Sequence, residues 1–434
     1  MINTRKIALD GLLKVEKDKA YSNLTLDAFL DKINPEPRDK AFISALFYGV
    51  IEKKITLDYN LSEYLDKPIK KLKPEVLVIL RLGAYQILFM NKVPTSAAVN
   101  ESVKLAKKYC SFASGLINAV LRKVDKNGLL LPDEVNKSYY LSVKFSCEEW
   151  ICKKWIDDYG YVDAESVLSL SSGSPDIFVR VNITKTTSDE LISILKDENV
   201  DCEKTYIENA LKINLKGNDI EKLSSYKSGL FHVQDLASQI CIKALNPQKG
   251  ETLFDLCSAP GGKAYTAAEY MENSGTVLCF DKYEHRVELI RDGAKRLGLD
   301  IIKGSVSNAL IYRENLGKAD KVLCDVPCSG LGIIRRKPEI KYKSYDEIKD
   351  LPEIQYNILK NGSEYVKVGG RIIYSTCTLS KDENDNVCSR FLKENKNFIS
   401  VRPLDGLSDT DYITLMPHKN KSDGFFIACF ERKE

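Results

Sequence analysis

The chain from Gly250 onward repeats a strand, a turn and a helix, and this alternation constrains its fold more than any other feature. Short apolar runs of strand length are separated by helical segments, which predicts a parallel β-sheet with helices on both faces. In such sheets ligands bind outside the carboxyl ends of the strands. The predicted strands are Thr252–Leu256, Thr276–Phe280, Lys321–Cys324, Gly370–Tyr374 and Gly424–Phe430.

A glycine-rich turn, DLCSAPGGK, begins at Asp255 where the first of these strands ends, and it opens a helix. Glycines let the backbone approach a ligand closely, and free amides at a helix start can donate to it. The turn matches neither GxGxxG nor the GxxxxGK[ST] phosphate loop, so a tight structural turn is the alternative. The next strand is followed by Asp281, whose carboxylate suits two ribose hydroxyls. Its alternative role is a helix cap paired with Glu284.

Two cysteines follow the ends of predicted strands, Cys328 in DVPCSG and Cys377 in YSTCTL. A thiolate is one of the few side-chain nucleophiles that can add to an electron-poor ring and leave again. One free cysteine alone is more often a small buried apolar residue. Two of them at neighbouring strand ends, beside a cofactor turn, favour a catalytic interpretation. Asp325, which precedes Cys328 by three residues, is placed to contact the reacting base.

Composition limits the partners and the location of the chain. Residues 1–131 carry 22 Lys and Arg against 14 Asp and Glu, while the remainder carries 42 against 47. The basic first part suggests an anionic partner, although a solvated helical surface is the alternative. Twelve scattered cysteines and three histidines predict reduced thiols and no metal site. The longest apolar run, Val76–Met90, is interrupted by Arg81 and is too short to span a bilayer.

Three domains are predicted from the periodicity along the chain. Residues 1–131 are helical throughout, residues 132–230 form a linker helix and a small α+β module, and residues 231–434 form the catalytic domain. Within the module, the pattern predicts strands at Ile177–Asn182, Thr205–Ile207 and Leu211–Leu215, with a helix at Ser188–Asn199.

The segments DLCSAPGGK, DVPCSG, YSTCTL and DGFF (Asp423–Phe426) resemble the Sun/Fmu family of S-adenosylmethionine-dependent ribosomal RNA cytosine methyltransferases. The segment from His232 to Ser238 resembles the start of that family's catalytic domain. Stretches such as AFISALFYGVIEKKITLDY and VPTSAAVNESVKLAKK resemble the NusB-like RNA-binding domain of its RsmB-type branch. The likeness covers nearly the whole chain. It implies a multidomain fold with an N-terminal all-α NusB-like bundle, a small α+β module that positions RNA, and a C-terminal α/β class I (Rossmann-like) S-adenosylmethionine-dependent methyltransferase domain.

The resemblance also implies a reaction, namely methylation of carbon 5 of a specific cytosine in 16S ribosomal RNA through a covalent cysteine–cytosine adduct. It implies Cys377 as the nucleophile, Cys328 as the residue that assists product release, and Asp325 as the cytosine contact. In related DNA enzymes the Pro-Cys cysteine attacks, so Cys328 is the alternative nucleophile. Family members usually place an acid against the adenine, where this chain has the weaker acceptor Ser305. The residues implied to hold S-adenosylmethionine are Cys257, Ser258, Ala259, Pro260, Gly261, Gly262, Lys263, Asp281, Ser305 and Asp325.

The implied partner is 16S ribosomal RNA, free or in early assembly, for a cytoplasmic monomer that binds neither DNA nor membranes. Two alternatives stay open. The same chemistry could act on transfer RNA or DNA, because basic helices do not identify their target. The chain could also be a catalytically inactive RNA-binding or ribosome-assembly factor, which only Ser305 supports.

Overall fold

The computed structural model describes residues 2–18, 22–33, 35–404, 406 and 410–434. The other positions, which belong to the predicted domains 1–131 and 231–434, lie outside the described residues. The chain divides into two compact units, one of Met1–Ser172 with Lys337–Ser344 and one of Gly173–Arg336 with Tyr345–Glu434. Within the described ranges, no helix is both long enough and apolar enough to cross a membrane.

The first unit is helical, as the periodicity predicts. In its third helix Ile43, Leu46, Phe47 and Val50 recur at three- and four-residue spacing and are buried on one face. The helices are α1 Thr4–Asp18, α2 Ser22–Ile33, α3 Pro37–Glu52, α4 Lys54–Ser62, α5 Pro74–Phe89, α6 Thr95–Tyr109, α7 Ser114–Asn127, α8 Lys137–Phe145, α9 Glu149–Tyr159 and α10 Tyr161–Ser169, with 3₁₀ turns at Ile69–Lys71, Ser111–Ala113 and Pro338–Tyr342.

The segment 337–344 belongs to this first unit although it lies within the catalytic part of the sequence. The Tyr342 hydroxyl donates to the carbonyl of Ile51 over 2.6 Å and accepts from the backbone N–H of Lys54. The carbonyl of Lys341 accepts from the N–H of Glu148 at 2.9 Å, and its side chain is fully buried. Burial lowers the pKa of the Lys341 ammonium to about 8. The segment therefore supplies both hydrogen bonds and buried side chains to the helical unit.

The second unit contains a small antiparallel sheet with the strand order β2-β3-β1-β4. Because side chains alternate along a strand, Val179 and Val181 of β1 pack with Leu191 and Leu195, while Arg180 lies on the other face. The elements are β1 Ile177–Val181, α11 Ser188–Asp197, β2 Asp201–Lys204, β3 Ala210–Asn214, α12 Ser224–Lys227 and β4 Phe231–Val233, with a 3₁₀ turn at Ile220–Lys222.

The predicted strand at Thr205–Ile207 is wrong. The strand before β3 is β2, and residues 205–209 form the turn between them, closed by the N–H of Thr205 donating to the carbonyl of Ala210. Asn209 has a φ of 60°, a left-handed conformation that ends a strand and suits asparagine. β2 is an edge strand with a mostly charged sequence, so it lacks the alternation of apolar residues that predicts a strand.

A second, larger sheet has the order β10-β12-β9-β8-β5-β6-β7, with β11 paired to β12. Neighbouring residues of β5 serve opposite faces, since Leu253 and Phe254 belong to two different cores. The elements are α13 Leu236–Leu245, β5 Thr252–Asp255, α14 Gly262–Tyr270, β6 Thr276–Asp281, α15 Glu284–Leu297, β7 Ile302–Val306, β8 Ala319–Asp325, α16 Leu351–Ser363, β9 Val366–Thr376, α17 Asp385–Glu394, β10 Phe398–Val401, β11 Tyr412–Leu415, α18 Pro417–Asn420 and β12 Phe425–Arg432, with 3₁₀ turns at Glu314–Leu316 and Tyr345–Glu347.

The sheet is mixed rather than wholly parallel. Strands β5 to β9 pair in parallel, as predicted, but β12 runs antiparallel to β9, with Phe426 opposite Thr376. This direction brings the start of β12 to the edge where the parallel strands end. The strand order reverses between β5 and β8, and such a reversal opens a ligand crevice at the carboxyl ends of the strands.

Candidate functional site

The glycine-rich turn between β5 and α14 has a backbone that only glycine fits well. Gly261 has a φ of 106°, and a Cβ there would lie 2.5 Å from the ring of Tyr265. The Tyr265 hydroxyl donates to the carbonyl of Pro260 at 2.8 Å, and the Ala259–Pro260 peptide is cis. The turn therefore presents its backbone, rather than side chains, at the start of α14.

The turn and its neighbours fit a polar cofactor. Asp255 and Ser258 place a buried carboxylate and a buried hydroxyl at the end of β5, and the two side chains interact with each other. Burial raises the pKa of Asp255 to about 7, and the charge of Asp325 adds to the effect. The N–H of Ser258 donates to the carbonyl of Phe280 at 2.8 Å, which joins the ends of β5 and β6.

Asp281 lies at the end of β6 with its carboxylate next to this turn. Its Oδ1 accepts from the N–H of Tyr283, and its Oδ2 lies 3.3 Å from Arg286. Arg286 also donates to the carbonyl of Ala259, so it links the end of β6 to the glycine-rich turn. No motif in the sequence predicts Arg286 as a site residue. Helix α15 begins at Glu284 with Tyr283 as its N-cap residue, so the alternative of Asp281 as a helix cap is wrong. Ser305 pairs with Phe280 at the end of the adjacent strand.

Asp325 is held by two side chains at the end of β8. Lys263 Nζ donates to its Oδ2 at 2.7 Å, and Ser375 Oγ donates to its Oδ1 at 2.9 Å. Burial by itself lowers the pKa of the Lys263 ammonium, but the Asp325 carboxylate outweighs burial and raises it. The last residue of the glycine-rich turn is thus ion-paired with the predicted base contact. Ser375 was not predicted as a site residue.

The structure brings the two predicted cysteines together. The Sγ atoms of Cys328 and Cys377 lie 3.1 Å apart, and both side chains are half-buried. The hydrogen bond shared with Cys377, together with burial, raises the pKa of the Cys328 thiol well above its usual range. Either sulfur can donate in this hydrogen bond. All twelve cysteines of the chain are free.

The loop after Cys328 closes against the DGFF segment. The N–H of Gly332 donates to the carbonyl of Cys377, and the N–H of Gly424 donates to the carbonyl of Gly332 at 2.9 Å. A Cβ on Gly332 would lie 2.0 Å from the carbonyl oxygen of Gly424, so only glycine permits this approach. Arg336 then bridges Asp423 of DGFF and Asp235 of the segment from His232 to Ser238. Four separate motifs of the sequence meet in one cleft.

The predicted site residues thus gather at the ends of β5, β6, β7, β8 and β9. The glycine-rich turn follows β5, and Asp281, Ser305 and Asp325 lie at the ends of β6, β7 and β8. Cys328 follows β8, and Cys377 follows β9. Within the ranges that the structure describes, no group of three His, Cys, Asp or Glu side chains is arranged to hold a metal ion.

Three family profiles match successive parts of the chain. The NusB family matches residues 2–126, the ferredoxin-like domain of RsmF/B-like methyltransferases matches residues 148–218, and the 16S rRNA methyltransferase RsmB/F matches residues 242–431. This order confirms the predicted fold class of a NusB-like bundle, a small α+β module and a class I methyltransferase domain.

Curated relatives and a solved structure resemble the chain over its whole length. The probable ribosomal RNA small subunit methyltransferase B of Bacillus subtilis is 36% identical, with 99% of each chain covered. A protein of the same name from Synechocystis is 32% identical, with 100% of each chain covered. The crystal structure of PH0851 superposes with a TM-score of 0.83 at 25% identity and covers 100% of this chain and 99% of its own.

These full-length similarities confirm the family that the motifs indicated. The glycine-rich turn, the strand order and the buried polar atoms at the end of β5 suit the cofactor of that family. The chain therefore belongs to the 16S rRNA methyltransferase RsmB/F family, whose members are class I enzymes that depend on S-adenosylmethionine.

Proposed function

We propose that the chain methylates carbon 5 of a specific cytosine in 16S ribosomal RNA through a covalent adduct between that base and Cys377. The observation that carries the proposal is the pair of thiols 3.1 Å apart at the ends of two neighbouring strands, in the same cleft as Asp325. An ordinary methyl transfer to an electron-rich atom needs no thiol. Methylation at a ring carbon that is a poor nucleophile does need one.

Cys377 forms and breaks the covalent bond in this proposal. Addition of its sulfur to carbon 6 of the cytosine makes carbon 5 nucleophilic. S-adenosylmethionine, when bound, would supply an electrophilic methyl group to carbon 5. A base then takes the carbon 5 proton, the electron pair of the broken carbon–hydrogen bond returns to the ring, and the Cys377 thiolate leaves carbon 6. Asp325, fixed by Lys263 and Ser375, contacts the cytosine and stabilises its protonated form.

The raised pKa of Cys328 supports Cys377 rather than Cys328 as the nucleophile. The raised pKa of Cys328 keeps that sulfur protonated, and a thiol is a far weaker nucleophile than a thiolate. A protonated Cys328 beside the adduct is instead suited to assist release of the methylated base. In this assignment Cys328, the cysteine that follows a proline, assists product release and does not form the adduct.

The cofactor residues in this proposal are those of the turn and the neighbouring strand ends. Cys257 to Lys263 surround the cofactor, Asp281 accepts from its ribose hydroxyls, and Ser305 stands beside its adenine. The backbone of the turn and the buried polar side chains of Asp255 and Ser258 support this assignment.

The remaining parts of the chain bind and position the RNA in this proposal. The basic residues 1–131 supply salt-dependent phosphate contacts, and the module within residues 132–230 positions the RNA for the catalytic domain 231–434. An unstacked cytosine in a single-stranded loop is the accessible target, which favours free or partly assembled 16S rRNA over DNA. We place the enzyme in the cytoplasm as a monomer that does not bind membranes.

The test is transfer of labelled methyl groups from S-adenosylmethionine to unmodified 16S rRNA, with transfer RNA in parallel and the modified base identified. Label in 5-methylcytosine of 16S rRNA alone is the expected result. Label in transfer RNA alone would refute the substrate. No label in either RNA, while the cofactor binds, would favour an inactive RNA-binding factor.

Single cysteine variants test the mechanism. Cys377→Ala should abolish methyl transfer and keep cofactor binding, whereas Cys328→Ala should accumulate a covalent protein–RNA band on a denaturing gel. Cys202→Ala, which changes a half-buried thiol in the small sheet, is the matched control and should behave as the wild type. Full activity of Cys377→Ala would overturn the assignment of the nucleophile.

A further inference from the structure

Glu383 and Asn384 form a buried pair in the turn between β9 and α17, and the reaction above assigns them no role. Their side chains are 1% and 0% exposed. A buried carboxylate is costly unless its oxygens accept hydrogen bonds, and a buried amide has the same requirement. The partners of these two side chains therefore indicate what the turn holds in place.

Glu383 holds the residues on both sides of Cys328. Its Oε2 accepts from the backbone N–H of Ser329 at 2.9 Å and from Nε2 of Gln355 at 2.9 Å. The same Gln355 amide donates to the carbonyl of Pro327 at 2.9 Å. The backbone before and after Cys328 is thus fixed through one carboxylate and one amide, both of them buried.

Asn384 holds the residues on both sides of Cys377 in the same way. Its Oδ1 accepts from Thr376 Oγ1 at 2.6 Å, and its Nδ2 donates to the carbonyl of Thr378 at 3.0 Å. Asn384 occupies the N-cap position of α17, where asparagine usually accepts from the helix backbone, yet its side chain makes no cap hydrogen bond. Its side chain therefore bonds to the turn that carries Cys377 and not to the helix backbone.

A third contact joins the two cysteine turns to each other. The hydroxyls of Ser329 and Thr378 lie 2.7 Å apart, and Thr378 Oγ1 also donates to Glu383 Oε1 at 3.4 Å. Ser329 and Thr378 each directly follow a cysteine in the sequence. Relative movement of the two turns that carry the cysteines would therefore break buried hydrogen bonds.

We infer that Glu383 and Asn384 are positioning residues of the methyltransferase, with Glu383 fixing the turn that carries Cys328 and Asn384 fixing the turn that carries Cys377. The division of roles between the cysteines rests on the proposed function, but the positioning itself rests on the hydrogen bonds alone. The negative charge of Glu383 also contributes to the raised pKa of Cys328, which suits a cysteine that must stay protonated.

A thiol cross-linking experiment tests the positioning without RNA or cofactor. Diamide oxidises the two thiols to a disulfide; each thiol gives up one proton and one electron, and the N=N bond of the reagent becomes a hydrazine. Sulfurs held 3.1 Å apart should cross-link rapidly. Glu383→Gln and Asn384→Asp should each slow the reaction about tenfold, because each variant disrupts a buried hydrogen-bond set. Asp382→Asn, an isosteric change one residue earlier, should leave the rate unchanged.

The milder variant Ser329→Ala removes only the hydroxyl link and protects the test against loss of folding. It should slow cross-linking by about threefold, with an unchanged melting temperature. Wild-type cross-linking rates in all three variants, with folding intact, would overturn the inference. A cross-linking rate in Asp382→Asn as low as that in Glu383→Gln and Asn384→Asp would also overturn the inference.

Single-turnover assays with 16S rRNA separate the two positions. Glu383→Gln should accumulate the protein–RNA band, as a weaker form of the Cys328→Ala defect. Asn384→Asp should slow methyl transfer about tenfold without a band and without a change in the KM for RNA, because adduct formation itself is slowed. A uniform loss of activity with no band in either variant would refute the division of roles. Full activity of Cys377→Ala would instead refute the proposed function, and the cross-linking result would be unaffected.

Discussion

Replacing Arg180 with leucine should destabilise the second unit, because the substitution leaves the buried carboxylate of Glu269 without its ion-pair partner. Arg180 Nε donates to Glu269 Oε2 at 3.1 Å, and the two side chains are 1% and 0% exposed. Arg180 lies on β1 of the small sheet and Glu269 lies on α14, the helix that begins at the glycine-rich turn. The ion pair therefore connects the small sheet with the cofactor side of the large one.

The expected loss is about 3–5 kcal/mol in the free energy of unfolding, which is the usual cost of breaking a buried pair from one side. Two further contacts place the estimate within that range. Arg180 also donates to the carbonyl of Glu208, which loses a partner, while His232 Nδ1 lies 3.5 Å from Glu269 Oε1. For a unit of this size the melting temperature should fall by roughly 6–20 °C.

Thermal unfolding followed by circular dichroism measures the effect, with two comparisons. The double variant Arg180→Leu/Glu269→Leu removes both charges, so it should recover most of the stability that the single variant loses. The control Lys204→Leu breaks the exposed ion pair with Asp189 in the same small sheet and should change stability by less than about 1 kcal/mol. A single variant no less stable than this control, or a double variant no better than the single one, would refute the reasoning.

Three further substitutions test other parts of the structure. Ser375→Ala removes one of the two donors to Asp325 and should lower kcat about two- to tenfold, with cofactor affinity unchanged; an unaltered kcat would show that Lys263 alone fixes the carboxylate. Ser305→Asp should tighten S-adenosylmethionine binding about fivefold in calorimetry, because a carboxylate is a stronger acceptor for the adenine amino group; weaker binding would contradict an adenine contact at this position. Lys341→Met removes a group whose folded pKa is lowered to about 8 by burial. Above pH 10.5 the lysine is neutral in both the folded and the unfolded state, whereas below pH 8 its charged form is buried at a cost in the folded state. The free energy of unfolding of the wild type should therefore rise by about 3 kcal/mol relative to that of the variant between pH 8 and 10.5. If urea unfolding shows the same stability difference between the two proteins at every pH in this range, the burial argument is refuted.

Periodicity and turn chemistry predicted the strands of the large sheet because those strands are buried and bounded by glycine. Cys328, Cys377, Asp325 and Asp281 lie at or just after the ends of these strands, so the sequence predicts most of the residues that the structure brings together there. The direction of β12 was not predictable in this way. Apolar content is the same for a parallel and an antiparallel neighbour, and only the pairing of Phe426 with Thr376 decides between them.

The residues that support the site were harder to predict because they act across the fold. Ser375 reaches Asp325 only through the register of β8 with β9, and Arg286 reaches Ala259 from a separate helix. Glu383 and Asn384 lie in a turn without periodicity, where polar residues are ordinary. Their burial, and not their identity, distinguishes them, and burial in a turn is set by the packing of distant segments.

The segment 337–344 has a consequence for how the chain folds during its synthesis. About 160 residues separate Ser172 from Lys337, so the ribosome produces the last piece of the helical unit roughly 10–30 s after the rest at ordinary translation rates. Until then the nascent unit lacks Tyr342, and the backbone groups of Ile51 and Lys54 lack their hydroxyl partner. Completion of the N-terminal unit must therefore wait until the loop beyond Cys328 has been translated.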